Sequence, residues 1–86
     1  MEVSAQVSLY PLGQSDLRPA IEVAWKAFKA RGLDYRAGSM STLLAGQDEA
    51  VFTALRDAFQ AAASHGSTVM VITLSNACSP LPLRGE

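Results

Sequence analysis

The chain has 86 residues, 49% of them hydrophobic and 17% charged, and a formal net charge of −1. That is room for one domain; its charge content lies below the usual ~25%, so part of the surface is expected to be covered by another subunit, and the near-neutral balance leaves no electrostatic footprint for nucleic acid or an anionic membrane. A single cysteine rules out an internal disulfide, one cysteine with one histidine cannot build a zinc cluster, and no apolar run approaches the ~18 residues of a membrane span.

Residues 3–10, VSAQVSLY, alternate: Val3, Ala5, Val7 and Leu9 point one way, Ser4, Gln6, Ser8 and Tyr10 the other. A period of two predicts a strand with one buried face. Pro11 and Gly13 punctuate, and residues 16–31 then read as a helix with Asp16 placed to cap its first turn. Leu17, Ile21, Trp25 and Phe28 make its apolar stripe, Arg18, Glu22, Lys26 and Lys29 its solvent side, and Gly32 its stop. Residues 33–38, LDYRAG, alternate again, and after Gly38 the run GSMSTLLAG, residues 38–46, reads as a third strand that carries hydroxyls where a buried strand would carry Val or Ile.

A second helix is predicted from about Asp48 to His65, with Val51, Phe52, Leu55, Phe59 and Ala62 as its apolar stripe and Asp48 and Glu49 at its positive N-terminal end. Residues 68–75, TVMVITLS, are apolar on both faces, as in a strand covered on both sides. One domain over residues 1–80 is expected, with residues 81–86 of the proline-bearing end SPLPLRGE as an extended or disordered tail.

The order strand, helix, strand, strand, helix, strand carries an internal echo. GQSD at 13–16 and GQDE at 46–49 each open a helix, and Ala-Phe recurs at 27–28 and 58–59. A duplicated β-α-β unit with right-handed crossovers predicts an α+β, ferredoxin-like βαββαβ sandwich: a four-stranded antiparallel sheet with two helices on one face. The helices would cover Val3, Ala5, Val7 and Leu9. The open face would carry Ser4, Gln6, Ser8 and Tyr10, joined by either the Met40, Thr42, Leu44 set or the Ser39, Ser41, Leu43 set, which the pattern alone does not decide. Such a face of small hydroxyls and aliphatics suits a subunit interface, a pocket for a weakly charged small molecule, or a pocket built at an interface.

Catalytic constellations are scarce. His65 stands at a predicted helix end, Asp48 and Glu49 read as a helix N-terminus, and no nucleophile motif or phosphate loop is present. Trp25, Phe28, Phe52 and Phe59 lie on helical stripes and read as core, and Tyr10 alone does not make the stacking platform of a single-stranded RNA binder. No enzyme, metal or cofactor is expected. Met1-Glu2-Val3-Ser4 lacks the blocks of a signal peptide, so the expected location is cytoplasmic.

VSLYPLG (7–13), GSMSTLLAG (38–46) and VMVITLSNACSP (69–80), with a helix between each pair, together resemble the small thiamine-binding, YkoF-like family. The resemblance implies a ferredoxin-like fold, a dimeric or tetrameric homo-oligomer, and non-catalytic binding of thiamine or its hydroxymethylpyrimidine half in thiamine salvage or transport. Carried over by motif position, the ligand-binding candidates are Ser8, Tyr10, Met40, Ser41, Thr42, Ser75 and Asn76. Hydroxyls can both donate to and accept from an aminopyrimidine edge, while Tyr10 offers a stacking face and Met40 a polarizable sulfur. The chain departs from the family pattern at Ser39, where members often have Pro, at Ala45, where many carry an acid, and at Ser79, which separates Cys78 from Pro80. Arg18 and Arg36 are candidate phosphate contacts. The alternative from a different class is a structural or regulatory homo-oligomer that buries the open sheet face between subunits and binds no thiamine.

Overall fold

A computed structural model describes residues 1–38 and 41–77. The element order is β1 (Glu2–Pro11), α1 (Arg18–Ala30), β2 (Asp34–Ala37), β3 (Thr42–Gln47), α2 (Asp48–Ala63) and β4 (Thr68–Ser75). The strands form one sheet in the order β2-β3-β1-β4 with every neighbouring pair antiparallel. Val3, Ala5, Val7 and Leu44 from the sheet share a core with Ala24 and Phe28 of α1 and with Val51, Ala54, Leu55 and Ala58 of α2. Both helices therefore cover the same sheet face, and the fold is the ferredoxin-like α+β sandwich expected. The proposed tail, together with Ser39 and Met40, lies outside the described residues.

Strand register decides the question left open by the pattern. Val7 faces Thr42 and Ala5 faces Leu44, so Thr42 and Leu44 lie on the helix-covered side. Leu43 and Ala45, opposite Gln6 and Ser4, lie on the open side. Within β3, Leu43 is thus the open-face member of the candidate sets, and Thr42 and Leu44 are helix-covered.

The start of α1 differs from expectation. Its N-cap residue is Leu17, with no side-chain cap, and Pro19 occupies the first turn, where amides have no intrahelical partner in any case. Asp16 still satisfies one such amide, accepting from the Arg18 N–H at 3.1 Å, but from outside the helix. At the other end Gly32 takes φ +68°, the left-handed conformation that ends a helix at little cost only with glycine.

Phe52 and Phe59 are not core residues: they are 53% and 40% exposed. The buried stripe of α2 is Val51, Ala54, Leu55, Ala58 and Ala62, and each phenylalanine follows a stripe position by one residue, about 100° around the helix. Facing it, α1 buries Ala20 and Ala24. The alanines let the two helices approach closely, which puts the larger rings outside. β4 also departs from expectation. It is an edge strand, and Val69, Val71, Ile72 and Leu74 are exposed on both of its faces.

Candidate functional site

A cleft of about 410 Å³ opens between α1 and one end of the sheet. Its floor is apolar: Val7 and Leu9 of β1 and Met70 of β4, which faces Leu9 across the ladder. Its wall is the α1 face carrying Arg18, Ile21, Glu22, Trp25 and Phe28, a spacing of three and four that brings these side chains onto one side of the helix. Its rim is Gly38, Ser41 and Thr42, where β2 passes into β3. The Gly38 N–H donates to the Ser41 carbonyl at 2.8 Å and closes this connection.

Trp25 is oriented from the sheet. Its Nε1–H donates to Thr42 Oγ1 at 3.2 Å, and Thr42 is 8% exposed, the one buried polar residue among the described residues. The bond ties the indole to the sheet at the cleft and leaves the threonine hydroxyl with its own proton to donate. Ser41 stands between the two sides of the sheet: it lines the cleft, and its Oγ accepts from Gln6 Nε2 of the open face at 3.3 Å.

Among the described residues, two ionisable side chains reach the cleft. Arg18 is clamped by Asp16, with Nε donating to Oδ1 and Nη2 to Oδ2, both at 3.1 Å. These bonds hold the Asp16 carboxyl below the ordinary carboxylate range and push the Arg18 guanidinium up from its ordinary value. Glu22, one turn further along, has no hydrogen bond or ion pair among the described residues, but its charge adds a smaller upward push on Arg18. Among the described residues no group of His, Cys, Asp and Glu is arranged to hold a metal ion, and no helix is long and apolar enough to cross a membrane.

The residues singled out from the sequence divide between places. Ser41 and Thr42 meet at the cleft rim. Ser8 and Tyr10, opposite Val71 and Val69, lie on the open face, as does Ser75 opposite Ser4. Asn76 follows Ser75, at the end of the sheet away from Leu9 and Met70. Met40 lies outside the described residues. Arg36 faces Leu43 on the open side, so of the two arginines only Arg18 borders the cleft. Sequence reasoning missed Glu22 and Trp25 as cleft residues. The spacing of Arg18, Glu22 and Trp25 held the signal, but a charge beside an apolar stripe reads as solvated until the neighbouring sheet end is placed.

Fold and cleft define a ferredoxin-like domain with an aromatic, partly polar recess between its first helix and the sheet. The chain belongs to the YkoF-related family, whose model matches residues 2–80. Solved structures with the same fold include a hypothetical protein of Methanocaldococcus jannascii, at 22% identity and a TM-score of 0.83 over 94% of this chain and 86% of that one. A domain of unknown function from Bacillus cereus has 22% identity and a TM-score of 0.78, covering 87% of this chain and 75% of its own. A Thermotoga maritima protein named for a proposed part in thiamine biosynthesis or salvage has 16% identity and a TM-score of 0.76, covering 86% of this chain and 82% of its own. No curated protein matches the chain.

Proposed function

We propose that the protein binds thiamine, or its hydroxymethylpyrimidine half, in the cleft between α1 and the sheet, and does not turn it over. The observation that carries this reading is Trp25 held by Thr42 along a recess of about 410 Å³, a size suited to a small ligand. An aminopyrimidine needs flat contact and a donor–acceptor edge. Trp25 and Phe28 supply the first; Thr42, with a proton to give to a ring nitrogen, and Ser41 supply the second. Membership of the YkoF-related family and the Thermotoga maritima neighbour support the same ligand class. Ser8, Tyr10 and Ser75 then serve the open face, as contacts to a second subunit.

The test is calorimetry with thiamine, the free pyrimidine alcohol and thiamine pyrophosphate. Saturable binding at micromolar or tighter affinity, roughly −8 kcal/mol, supports the reading, and Thr42→Ala is expected to weaken it about tenfold. Absence of binding to a folded protein would overturn it. In that case the second reading, a structural homo-oligomer, is favoured by the uncovered apolar side chains of β4.

A further inference from the structure

Arg18 stands between two carboxylates at the cleft wall, bonded to Asp16 and acted on by the charge of Glu22, so that one carboxylate is in excess. Arg18, the one cation lining the cleft among the described residues, has both Nε and Nη2 donating to Asp16. Glu22 lines the same wall; among the described residues it has no hydrogen bond or ion pair, and its charge acts on Arg18 only at longer range. Glu22 precedes Trp25 by three residues, so its carboxylate and the indole lie on one side of α1. A carboxylate beside the face of a tryptophan is a recognition pair for an aromatic or quaternary cation: the ring attracts positive charge through its quadrupole, and the carboxylate adds a Coulomb term.

We propose that the cleft selects by charge, with Glu22 favouring a cationic heterocycle over its neutral isostere and the Asp16–Arg18 clamp denying a phosphate ester its partner. The proposal rests on the cleft being the ligand site. It extends that reading from a ring shape to a charge class: unphosphorylated cations. Arg18, which borders the cleft and reads as a phosphate contact in the sequence, has its charge and two of its donors directed to Asp16.

The test uses the full chain and reads the indole N–H resonance of Trp25, the sole tryptophan. Thiamine is compared with 3-deazathiamine, in which carbon replaces the charged ring nitrogen, on wild type and Glu22→Gln. Wild type should prefer thiamine about fivefold, and Glu22→Gln should erase the preference. Equal affinity of the wild type for both compounds overturns charge selection and leaves the thiamine reading standing. If neither binds, benzyltrimethylammonium is titrated against benzyl alcohol. A saturable Trp25 shift with the ammonium alone, lost in Glu22→Gln, upholds charge selection and sinks thiamine as the ligand; no shift overturns both. Thiamine monophosphate should bind wild type more weakly than thiamine, and Asp16→Asn should narrow that gap. An unchanged gap would overturn the role given to the clamp.

Discussion

Thr42 joins sheet, helix and cleft through one hydroxyl. Replacing it with Val keeps the shape but removes the acceptor of the Trp25 N–H. A donor left unpaired in a partly buried place costs about 1–3 kcal/mol, whereas Thr42→Ser keeps the oxygen and should cost less. Urea unfolding of both variants checks the ordering; equal losses would show that packing, rather than the hydrogen bond, holds the indole. Ser4 is the opposite case. It lies between Ala45 and Ser75 on the open face, and its Oγ is buried with no hydrogen-bond partner. Ser4→Ala is expected to leave stability unchanged or raise it by up to about 1 kcal/mol. A clear loss would mean that the hydroxyl finds its partner in an assembled form.

At the scale of elements, α1 and α2 are tied by Arg31, the C-cap residue of α1, whose Nη2 and Nε both donate to Asp57 Oδ2 at 2.6 and 3.2 Å. Those bonds, from Arg31 first, hold the Asp57 carboxyl below its ordinary value of 3.8. A carboxylate with a lowered folded pKa adds stability above its unfolded pKa and loses it as pH falls through the folded one. Between about pH 5 and pH 2 the melting temperature of wild type should therefore fall more steeply than that of Asp57→Asn; parallel curves would show that the pair contributes nothing. The elements were largely legible in the sequence because the alternation of β1 and the residue spacing of α1 state their periods openly. The face of Thr42 was not: SMSTLL alternates plausibly either way, and only the pairing of Val7 with Thr42 settles it. Phe52 and Phe59 were misread because two apolar tracks run along α2, and the alanine track packs more closely.

The whole molecule leaves β4 unfinished. It is an edge strand without a charged residue, and Val71 on its open face is 52% exposed. An uncharged edge can pair antiparallel with its own copy about a two-fold axis without opposing like charges, and the homo-oligomer expected from the sequence would use this contact. Light scattering should give more than the monomer mass, and Val71→Lys should restore the monomer without unfolding it. A monomeric wild type at high concentration would contradict this.

Of the cleft's lining, Ser41 and Thr42 lie in a short motif that the sequence already singled out. Glu22 and Trp25 could not be read as lining, because a cleft exists only once a helix end and a sheet end are brought together. The central claim is that this cleft holds a thiamine-like pyrimidine. Isothermal titration with thiamine, on wild type and Thr42→Ala, tests it most directly. The account predicts a saturable heat at one site per chain, at micromolar affinity or tighter, that weakens about tenfold in the variant. A folded wild type that gives no heat, or a variant that binds as tightly as wild type, would contradict it.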